Sequence, residues 1–518
     1  MKYALDAATM KRIDDYTVTT VGIAALELME RAAGALVEVM LRRITGQDRI
    51  LAVCGPGNNG GDGVAAARLL FCQGYRAAIL LIGDPDRYSQ QMKEQLLRAE
   101  NLGVPIENCN KLAEYNIIID AVFGVGLSKP VSGEYEEIIR KINSLASYVY
   151  SVDIPSGVSA DDGKMLNIAV KADETVTFGF HKIGLLLYPG ADYAGRVTVA
   201  DIGFPEIASR QVCLDTFYYE KEDLARLPKR KNYSHKGTYG KVLMITGSRG
   251  MAGAACLSAR AAYRSGAGLV KVVSAECNRV ILQTVLPEAL FSSYDGEDKS
   301  PQQLKEQLLA DINWATVIVV GPGLGLLEAS RELLEMVLQN ARVPVIIDAD
   351  GITLMARVLE ERLDSGRKNS PEERMKLLAG LLNTPAIFTP HLLEFSRLLG
   401  CPLSKITDSL MEKIRKCKRH SKLILAVKDA RTIVAGEQGY YVNVSGNHGM
   451  ATGGSGDVLT GIIAAMIAQG MEPYEAACLG VYLHGLSGDA AAREKGPYSM
   501  MAGDIAASIE KVLINLEF

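Results

Sequence analysis

Short apolar runs that end on glycine recur along the whole chain, and they constrain its fold more than any other feature. Residues 50–54 run into Gly55-Pro56-Gly57, 117–122 into Gly124-Val125-Gly126, and 148–154 into Pro155-Ser156-Gly157. Further on, 241–246 run into Gly247 and 316–320 into Gly321-Pro322-Gly323. Each run is short and rich in Val and Ile, the mark of a strand buried on both faces. Helical periodicity fills the intervals, as at 64–73 and 90–102. Strand, glycine turn and helix in repetition specify an α/β chain with largely parallel sheets. Ligands in such sheets bind beyond the carboxyl ends of the strands, so the glycine turns mark the functional edge.

The chain has 518 residues, enough for two to four domains at roughly 100–200 residues each. A charged stretch at 218–230 separates two such series. The expected division is a first domain at 1–205, a linker at 206–229 and a second domain at 230–518. A polar segment at 357–380 reads as a surface helix or insertion. Lys and Arg number 56 against 60 Asp and Glu, for a net charge of -4. That balance argues against a broad nucleic-acid or anionic-membrane footprint, which needs clustered Lys and Arg. No apolar stretch approaches the roughly 20 residues of a membrane span, and the N-terminus lacks a signal core. Nine cysteines without a C-x-x-C read as reduced core residues of a cytoplasmic protein rather than zinc ligands.

The first glycine loop, Gly55-Pro56-Gly57-Asn58-Asn59-Gly60-Gly61-Asp62-Gly63, follows a strand and opens a helix. Gly55, Gly57 and Gly60 fit G-x-G-x-x-G, which suggests a dinucleotide fold. Asn58 and Asn59 fill the turn with amides, however. Asp62, expected at the helix start, would repel a pyrophosphate there. A carboxylate and amides suit a cation or polyol better, although Asp62 can also serve as a simple N-cap. Asp120 and Asp153 end two further strands. Such residues are often turn formers, but three carboxylates in one domain favour a polar site that needs a counter-ion.

These segments carry a resemblance. Leu28-Met29-Glu30, the 55–63 loop, the 120–127 segment DAVFGVGL and the 152–157 segment VDIPSG are similar to the NAD(P)H-hydrate epimerase domain. The resemblance implies a Rossmann-like domain that binds potassium through Asn59, Asp120 and Ser156. It implies contacts to a hydrated nicotinamide dinucleotide from Asn58, Asn59, Gly60, Gly61 and Asp62. Further contacts would come from Gly124, Val125, Gly126, Leu127, Ser128, Lys129 and Pro130, and from Asp153. Asp153, with Lys129, is the candidate for the proton or ring-opening chemistry. Arg31 and one extra residue depart from the family's L-M-E-N-A-G.

The strongest signal is Gly449-Met450-Ala451-Thr452-Gly453-Gly454-Ser455-Gly456-Asp457-Val458-Leu459-Thr460-Gly461. A glycine turn that runs into an apolar helix presents backbone N–H groups to anionic oxygens. Asp457 in the first turn makes sense beside a phosphate if it takes a proton from an attacking hydroxyl. Its alternative is a helix cap. Gly321-Pro322-Gly323-Leu324-Gly325, Asp348, Asp350, Thr389-Pro390-His391 with Glu394, and Lys428-Asp429-Ala430-Arg431-Thr432 end other strands of this half. His391 could equally be a packed turn residue, and His484 reads as structural.

This half resembles the ribokinase-like NAD(P)H-hydrate dehydratase. The resemblance implies substrate contacts from Ala254, Gly323, His391 and Asp457. It implies nucleotide contacts from Lys428, Asp429, Ala430, Arg431 and Thr432 and from Gly453, Gly454, Ser455 and Gly456. Leu392, Leu393, Asp429 and His448 depart from the family pattern, and Asp429 puts a negative charge where a glycine would meet the nucleotide. Together the halves are similar to the bifunctional NAD(P)H-hydrate repair family. The resemblance implies epimerisation of NADHX and NADPHX, then dehydration driven by ADP or ATP with magnesium, in a homo-oligomer without nucleic-acid or membrane partners. A plain small-molecule kinase, a non-catalytic binding module and a NAD-dependent oxidoreductase remain alternatives.

Overall fold

The computed structural model describes residues 1–296, 299–363, 369–417 and 420–514. The chain divides into one unit at Tyr3–Thr216 and another comprising Phe217–Phe518 with Met1–Lys2. Among the described residues no helix is long and apolar enough to cross a membrane.

The first unit is built on seven parallel strands: β1 (Arg49–Cys54), β2 (Arg76–Leu81), β3 (Ile106–Glu107), β4 (Ile117–Ala121), β5 (Tyr148–Val152), β6 (Glu174–Phe178) and β7 (Arg196–Ala200). Their order is β3-β2-β1-β4-β5-β6-β7, parallel throughout. Successive side chains of β1 enter opposite layers, as the period of two requires. Ile50, Ala52 and Cys54 join a core with Leu36, Val64, Leu70 and Met92, contributed by three helices. Leu51 and Val53 join another with Ile138, Ile139 and Ile142 of helix Glu134–Ser144. Helices therefore cover both faces, which gives three layers.

Nine strands of the second unit are β8 (Lys241–Ile245), β9 (Leu269–Ser274), β10 (Leu290–Ser293), β11 (Val317–Val320), β12 (Val345–Ile347), β13 (Ala386–Phe388), β14 (Leu423–Val427), β15 (Ile433–Gly436) and β16 (Gly439–Val442). They run in the order β10-β9-β8-β11-β12-β13-β14-β15-β16. The sheet is parallel through β14, and β15 and β16 close it as an antiparallel ribbon. Both units are thus α/β, as the glycine-ended runs imply.

Two expectations need correction. The helices after the glycine loops start earlier than their apolar periodicity shows. The first, α1, is Asn58–Cys72 with Gly57 as its N-cap, so Asp62 sits a full turn inside rather than at the start. Helix α2 (Ala252–Arg264) precedes α3 (Ser455–Ala468), whose cap is Gly454. Glycines add nothing to a hydrophobic pattern, so helical turns made of them are silent in sequence. Cysteine burial also differs: Cys54, Cys417 and Cys478 are buried, but Cys72, Cys109, Cys213 and Cys277 are exposed. The polar segment forms the end of helix Asp350–Arg362 and helix Pro371–Gly380; residues 364–368 between them lie outside the described residues.

Candidate functional sites

In the first unit β1, β4 and β5 are neighbours, so their carboxyl ends gather the three carboxylates. Asp120, in β4, is fully buried. It accepts hydrogen bonds from Ser156 Oγ at 2.5 Å, Ser156 N at 2.8 Å and Ser151 Oγ at 2.8 Å. Burial raises its carboxyl above the ordinary range despite these bonds. Among the described residues no Lys or Arg pairs with it. The Phe123 N–H donates to Ser156 Oγ at 2.8 Å, and the Asn59 amide packs against Gly124. Asn59 Nδ2 is buried without an acceptor. Which end of an amide is oxygen follows from its partners. An unneutralised buried carboxylate, a hydroxyl and an amide free to present its oxygen form a hard, all-oxygen set that fits a cation.

A cavity of about 590 Å³ opens beside this cluster. Asn58, Asn59, Asp62, Gly124, Val125, Gly126, Leu127, Ser128, Lys129 and Asp153 line it. Gly60 and Gly61 are buried beneath, and Pro130 is exposed outside the lining. A second cavity, of about 490 Å³, shares Asn58, Asp62, Val125, Gly126 and Asp153 and adds Asp14 and Lys182. Asp62 is held well above the carboxylate range, first by burial and then by the charges of Asp153 and Asp14. Arg31, the departure from the family pattern, donates to Glu27 and to the Ile202 carbonyl, outside this cluster.

In the second unit β12, β13 and β14 are neighbours, which carries Asp348 to Lys428. Lys428 Nζ donates to Asp348 Oδ1 at 2.8 Å, and Thr460 Oγ1, from α3, donates to Asp348 Oδ2 at 2.7 Å. Burial pulls the Lys428 ammonium down, but Asp348 and Glu394 outweigh it and hold the group above its usual range. A Cβ on Gly456 would meet Lys428 Nζ at 3.0 Å, so the ammonium stands against the N-terminus of α3. Asp457 in the same turn is pushed up to about 7, chiefly by burial, then by Asp348, with Lys428 opposing.

Other predicted residues border this edge. A Cβ on Gly323 would come within 2.9 Å of Ala254 Cβ, so those two positions touch. His391 Nδ1 accepts from the N–H groups of Leu393 (3.2 Å) and Glu394 (3.4 Å), and burial together with Lys428 holds its imidazole below the usual range. Glu394 is pushed up to about 7 by burial. His484 Nε2 lies 3.3 Å from Ser455 Oγ, and burial lowers the imidazole to about 4. Asp429 and Ala430 are exposed in the turn after β14, with Arg431 and Thr432 half-buried beside them. Gly453 is exposed, whereas Gly454 and Ser455 are half-buried at the start of α3.

Comparison with known proteins places these features in a family. Residues 242–511 match the model described as NAD(P)H-hydrate dehydratase, and residues 25–184 match that of the YjeF-related protein N-terminus. The bifunctional NAD(P)H-hydrate repair enzyme Nnr of Moorella thermoacetica is 35% identical across 99% of this chain and 97% of its own. The chain belongs to the bifunctional NAD(P)H-hydrate repair enzyme family. The family member of Coxiella burnetii is 36% identical across 95% of this chain and 96% of its own. Among solved structures, the ADP/ATP-dependent NAD(P)H-hydrate dehydratase from Bacillus subtilis, co-crystallised with ATP and Mg2+, is similar over 58% of this chain and 98% of its own. Its identity is 28% and its TM-score 0.47.

Sequence reading passed over two residues that the structure brings to these clusters. Thr460 lies one turn beyond Asp457, inside the quoted motif, but nothing in that spacing signals a bond to Asp348. Lys182 precedes the apolar stretch Ile183–Leu186 just after a strand. A lysine at such a place was the available signal.

Proposed function

We propose that this chain repairs hydrated nicotinamide dinucleotides at two sites, as its family's name describes. In the second unit the substrate hydroxyl gives its proton to Asp457 and attacks the terminal phosphate of ADP or ATP. The α3 N-terminus and the Lys428 ammonium stabilise the charge that develops on the transferring phosphoryl group. A hydroxyl is a poor leaving group and a phosphate a good one. Loss of phosphate and a ring proton then restores the double bond of NADH or NADPH. Magnesium, bound with the nucleotide, would supply positive charge that offsets the phosphates. The observation that carries this reading is the place of Asp457 in the first turn of α3, next to Gly456, against which the Lys428 ammonium stands; burial pushes the Asp457 carboxyl up to about 7, the range where a general base is most effective.

The first unit interconverts the two epimers. Asp153 takes the ring hydroxyl's proton while the ring C–N bond opens; the carbon becomes a carbonyl and the nitrogen is protonated. Closure on the opposite face returns the proton and inverts the centre. Asn59, Asp120 and Ser156 would hold potassium, which supplies positive charge beside the buried carboxylate.

The test mixes the purified chain with both NADHX epimers, magnesium, potassium and either ADP or ATP, and follows recovery of NADH absorbance. Complete conversion is expected, and the effective nucleotide names the donor. Recovery that stops at one epimer, after subtraction of uncatalysed exchange, would overturn the first site. A stable phosphorylated product in place of released phosphate would favour the plain kinase.

A further inference from the structure

The ammonium that reaches Asp153 belongs to Lys182; Lys129 stands exposed at the cavity rim. Lys182 is 1% exposed. Its Nζ donates to Asp153 Oδ1 at 2.5 Å, Thr177 Oγ1 at 2.9 Å and the Phe178 carbonyl at 3.1 Å, so all three of its protons are used. The same Oδ1 also accepts from Thr177 Oγ1 at 3.0 Å and from Phe178 N at 3.2 Å. Among the described residues nothing donates to Oδ2. One carboxylate oxygen is saturated and the other is left for the cavities that Asp153 lines. The backbone serves the same end. Asp153 has a φ of 63°, a left-handed conformation that a non-glycine residue adopts under constraint, and its N–H is tied to the Val176 carbonyl at 2.8 Å.

The charges that face this group come from several elements. Asp62 approaches from α1, and Asp14 from helix Ala7–Tyr16. Both carboxyls are raised, first by burial and then by neighbouring carboxylates that include Asp153. Lys11 lines the cavity from an exposed position, and the His181 ring turns to the Lys182 carbonyl. Of the two lysines lining the second cavity, only Lys182 is buried; it bonds Asp153 and acts on Asp14.

We propose that Lys182 is the positioning residue of the first site: it saturates one oxygen of Asp153, fixes the carboxylate's orientation and supplies its counter-charge, so that Oδ2 faces the substrate hydroxyl. This rests on the epimerase reading above. Lys182 touches Asp153 rather than the reacting carbon, and its effect on the reaction passes through that carboxylate.

The experiment measures epimer exchange across pH in the full chain for wild type, Lys182→Met, Lys182→Arg and Thr177→Val, with dehydration of the competent epimer as the internal control. Lys182→Met should lower kcat by about 100-fold, the scale of a displaced general base, and change KM by less than about threefold. Without the ammonium the acid side of the pH profile should move up by about one unit or more. Lys182→Arg should restore most of the rate and return the profile. A loss of rate with an unmoved profile and no rescue by arginine would mark a merely structural lysine and overturn the proposal, as would an unimpaired Lys182→Met. Should Lys182→Met leave the first unit unfolded, Thr177→Val decides: a smaller displacement in the same direction supports the role, and an unmoved profile refutes it. Absence of exchange in the wild type would refute the epimerase reading instead.

Discussion

Replacing Asp457 by Asn should stabilise the second unit while abolishing its chemistry, and the size of the gain follows from the site. The carboxyl moves from an ordinary 3.8 to about 7 on folding, a separation of about three units at about 1.4 kcal/mol each. A raised carboxyl favours folding fully only below its unfolded value, and that advantage disappears as pH climbs through its folded value. Above the folded value the ionised, buried carboxylate therefore costs the native state about 4 kcal/mol. Between about pH 5 and pH 8 the change is about 2–3 kcal/mol. Asparagine keeps the shape and cannot ionise. Burial also pushes Glu394 up to about 7, but it does so in both proteins and cancels in the comparison. The chain's single tryptophan, Trp314, lies in helix Pro301–Trp314 of the second unit with Lys271 Nζ 4.7 Å from its ring, so its fluorescence reports unfolding of that unit. Urea titrations should show Asp457→Asn gaining on the wild type by about 2–3 kcal/mol as pH rises across this window. A gap that stays constant or closes with pH would refute the reasoning, because it would mean the carboxylate is not desolvated in the native state.

Two further outcomes concern the first unit. Gly60→Ala would place a methyl carbon 1.9 Å from the Gly55 carbonyl oxygen; the overlap is with backbone, so a loss above about 3 kcal/mol is expected. Epimer exchange should disappear while the Trp314 unfolding curve stays in place. Exchanging potassium for a bulky organic cation should slow epimer exchange and lower the melting temperature of the wild-type first unit. Asp120→Asn should show no potassium dependence in melting, and a dependence equal to wild type would remove Asp120 from the ligand set.

The sequence makes plain which residues end strands, and much of both sites follows from that. Val and Ile runs closed by glycine turns locate β1, β4, β5, β8 and β11, runs closed by Asp348, Thr389 and Lys428 locate β12, β13 and β14, and within each unit a parallel sheet puts its own strand ends on one edge. The carboxylates Asp120, Asp153 and Asp348 are legible for this reason. What stays hidden is sheet order, which decides whose end lies next to whose. Lys428 and Asp348 are 80 positions apart and meet at 2.8 Å because β12, β13 and β14 are adjacent. No spacing encodes that.

Lys182 shows the same limit more sharply. Lys129 lies nearer to Asp153 in sequence and sits within a recognisable loop, so it is the partner that sequence logic selects. Asp153 and Lys182 are 29 positions apart; the chain between them contains β6, and this strand runs beside β5 in the sheet. The chain returns along β6 past the end that carries Asp153, and the residues just beyond Phe178 are placed against it. An ammonium that is almost wholly buried could persist there only with a carboxylate and further acceptors around it. Its three hydrogen bonds meet that condition. Asp153 is at once the ion pair that makes a buried Lys182 tolerable and the group that Lys182 holds in place. Proton affinity is raised by neighbours that no linear motif contains: Asp153 acts on Asp62 and Asp14 in one unit, and Asp348 on Asp457 in the other, with Lys428 opposing. Motifs locate the candidate groups, and the fold decides what surrounds them.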